Sequence, residues 1–204
     1  ACVKALLQAG ADITTVDASG KTALNLASAA KHEAAARAIA IADNLLKKGY
    51  KPDNYAQALL IAAEQGEHST LSLLIEAGAD VHYRNEKGLS ALHKAAATRY
   101  TTCVKKLLEA GANPNAESEE HLTPLILAAA AGYSANVRAL LAGGADANLT
   151  TRADAPATAA IKNRQKECLF TLLDAGVSVN AKDTKERSLL YWAVVAEDNA
   201  IIQE

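Results

Sequence analysis

Short apolar segments with helical spacing recur along the chain, and each ends at a glycine or a polar turn. In residues 123–131, Thr-Pro-Leu-Ile-Leu-Ala-Ala-Ala-Ala, the run stops at Gly132, and a second apolar stripe follows in residues 135–141. Threonine favours the N-cap, proline the first helical position, and glycine the left-handed conformation that ends a helix. The pattern predicts two short amphipathic helices joined by a tight turn, and neither can bury its apolar side alone.

Glycines recur at the end of the second helix of this pattern. They occupy one place in phrases such as Glu-Ala-Gly-Ala-Asp, and they are Gly10, Gly49, Gly78, Gly111, Gly144 and Gly176. The intervals between them are 39, 29, 33, 33 and 32 residues. A fixed period of this length is typical of solenoids, in which each unit covers the apolar side of its neighbour.

The period and a second recurring phrase resemble those of ankyrin repeats. Residues 90–96 (Ser-Ala-Leu-His-Lys-Ala-Ala) and 123–129 (Thr-Pro-Leu-Ile-Leu-Ala-Ala) are similar to the T-P-L-H-x-A phrase of that family. The resemblance implies an all-α solenoid of stacked β-turn, helix, helix units, about five of them plus truncated end units. The turns would project as fingers beside a concave face that the first helices line. The predicted units are 1–9, 10–48, 49–77, 78–110, 111–143, 144–175 and 176–204, the first and last being truncated.

Two units depart from the period. About six extra residues between Gly10 and Gly49 predict a longer second helix in unit 10–48, or a longer link into it; six helical residues would add about 9 Å. About four residues are missing after Gly49, which predicts a shortened finger in unit 49–77.

Two fingers lack the turn glycine that Gly20 and Gly88 supply elsewhere. His121 and Glu186 stand at this position. If the turn requires a positive φ, each replacement costs about 1 kcal/mol.

Composition excludes several classes of protein. Half of the residues are hydrophobic, too many for a disordered chain, and a net charge of −2 does not provide the basic field that attracts nucleic acid. No apolar run reaches the roughly 20 residues that span a bilayer. Alanine makes up 47 of the 204 residues, which predicts a core of small side chains between closely packed helices. The chain lacks methionine and any signal peptide, and we interpret it as a fragment of a longer protein.

Three cysteines occupy one position of the repeat, on the inward stripe of the second helix. They are Cys2, Cys103 and Cys168. The last two lie two units apart, and the predicted separation of about 20 Å exceeds the limit of about 7 Å between the Cα atoms of a disulfide. We expect three buried free thiols, which are typical of a reducing compartment such as the cytoplasm.

Other candidate chemistry has a structural explanation in the repeat. Residues 20–22, Gly-Lys-Thr, resemble the end of a P-loop, but Thr15 stands where that motif requires glycine. His93 is expected to brace finger backbone, and Glu119 and Glu120 lie on a finger without a base or nucleophile placed nearby. The histidines show no metal-ligand spacing. We predict no catalytic site, no cofactor and no metal.

Some ankyrin repeats are hydroxylated at an asparagine near the start of the finger. The resemblance places Asn180 at the matching position, whereas Asn115 and Asn148 match less well. Asn148 also begins a glycosylation sequon, which matters only in a secreted protein. Hydroxylation of Asn180 is therefore a hypothesis.

Recognition by the finger tips and the exposed side of the first helices is the leading functional prediction. The candidate contacts are Lys21, Tyr50, Tyr55, Glu86, Lys87, Leu89, Glu119, Glu120, Leu122, Arg152, Asp154, Lys185 and Arg187, in a row that also includes Thr184. Leu89 and Leu122 are expected to form an exposed apolar pair at its centre. We predict a non-catalytic scaffold that binds a partner protein or peptide, with no nucleic acid and no membrane insertion.

An alternative is a structural or regulatory arm of a larger enzyme, channel, effector or multi-subunit assembly. In that case residues 31–57 would dock on the rest of the same chain. The shortened finger would leave a notch beside Tyr50 and Tyr55.

Overall fold

Paired helices form an all-α solenoid in the computed structural model, which describes residues 2–180, 182–183 and 185–201. The first helices of the units are α2 (Ala23–Ala29), α4 (Tyr55–Gln65), α6 (Ala91–Ala96), α8 (Pro124–Ala131), α10 (Pro156–Lys162) and α12 (Leu189–Ile201). The second helices are α1 (Cys2–Gln8), α3 (Glu33–Lys47), α5 (His68–Ala77), α7 (Thr101–Glu109), α9 (Ser134–Ala142) and α11 (Lys166–Asp174). Among the described residues, extended pairing is limited to two isolated bridges, Val16 with Thr22 and Lys182 with Ser188.

The main core lies between two rows of helices. First helices pack on one another from α4 to α12, and second helices do so from α1 to α11. Fully buried leucines recur in both rows, including Leu59, Leu92, Leu107 and Leu140. Each such side chain contributes about 2 kcal/mol when it leaves water. Alanine pairs such as residues 95–96 are also fully buried between the first helices, and their small size lets these helices approach closely.

The recurring Gly-Ala-Asp phrase turns the chain from the second helix into the next finger. In one unit Gly78 adopts φ +95 and ends α5, and the following Ala79 is buried. Asp80 Oδ1 then accepts a hydrogen bond from the His82 amide at 2.9 Å. The short polar side chain therefore closes a local turn that replaces helical hydrogen bonds.

The fingers other than the shortened one are closed by backbone hydrogen bonds and by one polar side chain at the base. The Asn85 amide donates to the Leu89 carbonyl at 3.1 Å, and Asn85 Oδ1 accepts from the Leu89 amide at 3.0 Å. At the turn, His121 has φ +59 and Glu186 has φ +61, similar to +76 at Gly20. Both residues that replace the turn glycine therefore adopt a positive φ, which was the condition for the expected conformational cost.

A buried amide ties two neighbouring units together. Asn136 is fully buried in α9, and its Nδ2 donates to the carbonyl oxygens of Ala96 at 3.2 Å and of Thr98. Its Oδ1 accepts from the Thr101 hydroxyl at 2.7 Å. The carbonyls at the end of α6 lack intrahelical partners, and Asn136 satisfies them from the next unit.

A buried histidine joins α6 to the finger of the next unit. His93 Nε2 donates to the Leu122 carbonyl at 3.1 Å, and Nδ1 accepts from the Ser90 amide at 3.1 Å. The expectation that this imidazole braces finger backbone is confirmed. Burial is the main cause that lowers the pKa of His93 to about 4, and the charge of Arg84 lowers it further against the hydrogen bonds to backbone.

The N-terminal unit departs from the stacking of the others. Its second helix α3 has 15 residues, against 9 or 10 in α5, α7, α9 and α11. Helix α2 packs mainly on α3, and the close packing between first helices seen elsewhere is not found between α2 and α4. Ile13, Ala27 and Ile39 form a small core of their own, separate from the main core. The unit is consequently held to the solenoid chiefly by α3.

This separation predicts that the N-terminal unit opens before the centre of the solenoid. In native-state hydrogen exchange of the whole chain, α2 amides should exchange through openings of lower free energy than α8 amides, because few apolar side chains must be exposed. The substitution Ile39→Ala should accelerate exchange in α2 and leave α8 unchanged. Equal protection of the two helices would contradict the separate core.

Protonation of His93 is expected to lower the stability of the folded chain in acid. Its pKa of about 4 in the folded chain lies below about 6.5 in the unfolded chain, so stability is complete above pH 6.5 and falls as the pH drops towards 4. The loss should reach about 3 kcal/mol in urea unfolding.

The matched controls are His93→Gln, which lacks the ionisable group, and His82→Gln at an exposed finger position. The pH dependence should diminish in the first variant and persist in the second. An undiminished dependence in His93→Gln would show that another group causes it.

Candidate functional site

A cleft of about 280 Å³ opens between units 78–110 and 111–143. It lies on the surface formed by the fingers and the exposed side of the first helices, here called the inner surface. Half-buried Leu89, Leu122 and Leu127 line it, together with the buried His93. The hydrogen bond from His93 fixes the Leu122 backbone, so the apolar part of the cleft is preformed.

The rim of this cleft is charged. Lys94 Nζ bonds to Glu64 Oε1 at 2.9 Å, which joins two first helices across the inner surface. Lys87 and Glu120 also line the cleft, and both are exposed. An apolar centre within a polar rim is the usual anatomy of a recognition surface.

The two fingers beside the cleft are fixed to one another. The Glu119 amide donates to the Lys87 carbonyl at 3.0 Å. A Cβ atom at Gly88 would lie 2.8 Å from the Glu119 nitrogen, and Gly88 also has φ +69, so this position requires glycine. Glu119 and Glu120 therefore project from a backbone whose position is determined by the neighbouring finger.

A second cluster surrounds Trp192 near the C-terminal end of the inner surface. Lys162 Nζ and Arg187 Cζ each lie 4.2 Å from a centroid of the indole ring system. Lys162 also bonds to Asp154 at 2.8 Å. The indole Nε1 donates to Asp183 Oδ2 at 3.0 Å, and Arg187 Nη2 lies 2.7 Å from the same oxygen. These contacts hold one aromatic side chain against two cations.

The Asp183 carboxylate organises this cluster. Its burial alone would raise its pKa, but hydrogen bonds from the side chain and backbone of Arg187, from the Lys185 amide and from Trp192 hold the pKa well below its ordinary value. The charged carboxylate is thus the form that fixes both Arg187 and the indole ring.

Side chains of adjacent units meet in a repeated way on the inner surface. A residue late in one first helix contacts the fourth residue after the N-cap of the next: Glu64 with Lys94, and Lys162 with Trp192. Ile61 precedes a buried alanine pair, as Lys94 does, and is 40% exposed. The contact residues predicted from the sequence did not include five first-helix residues, which are Ile61, Lys94, Leu127, Lys162 and Trp192. Counting four residues from each N-cap would have found Lys94, Leu127 and Trp192, but not Ile61 or Lys162.

Twelve of the thirteen predicted contact residues are exposed or half-buried in the structure. The exposed ones are Lys21, Glu86, Lys87, Glu119, Glu120, Arg152 and Lys185. The half-buried ones are Tyr50, Leu89, Leu122, Asp154 and Arg187. Leu89 and Leu122 were expected to be exposed, but both are half-buried in the wall of the cleft. Thr184 lies outside the described residues.

Tyr55 was wrongly predicted to be an exposed contact. Residues Pro52–Asn54 form one turn of 3₁₀ helix that leads directly into α4, and Tyr55 is the first residue of α4. Its side chain is 5% exposed and packs into the main core. Shortening the finger therefore draws Tyr55 inwards. A cleft of about 190 Å³ remains beside it, lined in part by Leu46 and Pro52.

Two of the three cysteines are buried. Cys103 and Cys168 are fully buried free thiols, and burial raises the pKa of each. The prediction was wrong for Cys2, which is exposed. Helix α1 packs mainly on α3 and fully buries none of its side chains, so the repeat position alone does not bury Cys2.

Asn180 is exposed, and two related asparagines brace the neighbouring fingers. Asn115 Oδ1 accepts from the Asp146 amide at 2.8 Å, and Asn148 Oδ1 accepts from the Ser178 amide at 3.0 Å. Each of the three follows its helix-ending glycine by four residues, so Asn115 and Asn148 share the register of Asn180. Hydroxylation of Asn180 stays a prediction.

Metal sites and membrane spans were sought in the part of the chain that the structure describes. There, no three side chains among His, Cys, Asp and Glu are grouped as metal ligands would be. None of the helices described has the length and apolar character required to cross a bilayer.

Comparison with protein families agrees with the repeat geometry. The family model described as ankyrin repeats (3 copies) matches residues 32–118, 59–151 and 99–183. These matches overlap and together cover well over half of the chain. The resemblance inferred from the recurring glycines and the Thr-Pro-Leu phrase is confirmed, as is the all-α solenoid. This chain belongs to the ankyrin-repeat family.

Proposed function

We propose that this chain is a non-catalytic scaffold that binds a partner protein or peptide through the inner surface. Ankyrin repeats generally mediate protein–protein interaction and are typically non-catalytic. The observation that carries the proposal is the preformed cleft lined by Leu89, Leu122 and Leu127, beside the exposed carboxylates of Glu119 and Glu120.

In the proposed complex, apolar and charged groups have different roles. An apolar side chain of the partner in the cleft would supply binding free energy, because central desolvated contacts dominate most interfaces. The exposed charges would set orientation and the rate of encounter. A stable complex buries about 800 Å² on each partner, so contacts would extend beyond the cleft to the adjacent fingers.

A second candidate is an arm that docks on another part of a larger protein. The cleft beside Tyr55 favours it, because Leu46 is 40% exposed in its wall and the separate N-terminal core leaves this region loosely attached. The substitution Leu46→Asp tests this surface separately from the inner one.

Two further proposals concern the cellular compartment of the protein and the modification of Asn180. The free buried thiols of Cys103 and Cys168 support residence in a reducing compartment such as the cytoplasm. The exposure of Asn180 supports its hydroxylation, which peptide mass spectrometry of native material tests directly. An unmodified peptide mass would exclude it.

Reversing the charge of Glu119 and Glu120 should weaken capture of the partner about tenfold or more, because a favourable charge contact becomes repulsive. The melting temperature should hardly change, since both side chains are exposed and neither forms an ion pair among the described residues. The measurement is affinity capture from a lysate of the source organism, followed by titration with the captured partner.

The matched control is Glu109→Lys, an exposed charge reversal at the end of α7. Capture should be unaffected by it and lost in Leu89→Asp. Capture that survives both inner-surface variants but fails in Leu46→Asp would replace the scaffold proposal by the arm.

A further inference from the structure

The exposed charges of the inner surface change sign along the solenoid. Glu86, Glu119 and Glu120 lie on the fingers beside the cleft, whereas Arg152 and Lys185 lie on the next two fingers towards the C-terminus. None of these five side chains forms an ion pair with another described residue. Their charges are therefore available to a partner. Lys87, beside Glu86, is exposed as well, so the sign changes between the finger of Glu119 and Glu120 and the finger of Arg152.

The basic end is also structurally fixed. Asp183 holds Arg187 and the Trp192 indole, and Asp154 holds Lys162 against the same ring. The two carboxylates offset the charges of Arg187 and Lys162. The excess positive charge at this end therefore comes from Arg152 and Lys185, on fingers attached to an ordered base.

The size of the cleft favours an extended occupant. A volume of about 280 Å³ takes a single large side chain rather than the apolar face of a helix, which is about 10 Å wide. Neighbouring units lie about 10 Å apart, and an extended chain rises about 3.3 Å per residue. A peptide crossing from one finger to the next therefore advances by about three or four residues.

We propose that the inner surface binds an extended peptide that carries an apolar residue, a basic residue and an acidic residue in that order along the solenoid. The apolar side chain occupies the cleft at Leu89 and Leu122. The basic residue faces Glu119 and Glu120, and the acidic residue faces Arg152. The charges also fix the direction in which the peptide lies. This inference rests on the proposed function and adds the chemistry of the ligand to it.

The test is a selection from a random peptide library displayed on phage, with the whole chain as the target. Enriched sequences should share an apolar residue followed on one side by a Lys or Arg and then by an Asp or Glu, with the two charged residues about three or four positions apart. A synthetic peptide of the enriched sequence should bind Glu120→Lys about tenfold more weakly than the unsubstituted chain. Replacing the basic residue of the peptide by glutamate should restore binding to Glu120→Lys.

Glu109→Lys is the control, and it should bind the selected peptide like the unsubstituted chain. Enriched peptides with charges of one sign, or with no charge pattern, would overturn the inference. If their binding is nevertheless lost in Leu122→Asp with the fold retained by circular dichroism, the proposed function stands without it. Binding that Leu122→Asp leaves intact would overturn both. Failure to enrich any peptide would overturn the inference alone, because a folded partner could still use the surface.

Discussion

Burial of leucine and alanine side chains between consecutive units is the interaction on which the rest of this structure depends. Each unit has two short helices, and each helix buries its stripe only when a neighbour covers it. Leu92, Leu125 and the alanines beside them lose their exposure in this way. The buried polar groups follow the same rule, because Asn136 and His93 find their hydrogen-bond partners in an adjacent unit.

Because stability comes from burial between units, the fingers and the exposed side of the first helices contribute little to the core. The fingers nevertheless have fixed positions, because His93 holds the Leu122 carbonyl and Lys87 holds the Glu119 amide. A partner would meet side chains whose backbone is already ordered, so little conformational entropy would be lost on binding. Stability and recognition thus depend on different side chains, apart from the leucines that line the cleft.

The sequence was sufficient for the repeat, the helices and the bracing role of His93, because these follow from local capping and a fixed period. It failed where one unit's environment differs from the average. Cys2 occupies a core position of the repeat, but the helix that carries it has no fully buried side chain. Tyr55 was predicted to lie in a finger, but a 3₁₀ turn makes it the start of a helix. The Trp192 cluster depends on contacts between units, which a single unit's pattern does not contain.

The most direct test of the stacking account is the circular dichroism of the isolated segment 111–143 in water. Its helices are as short as 8 and 9 residues, and isolated helices of that length are marginal without tertiary cover. The account predicts that the segment is largely unfolded, although the same residues are helical in the whole chain. A stable helical signal with a cooperative melting transition in the isolated, monomeric segment would contradict it.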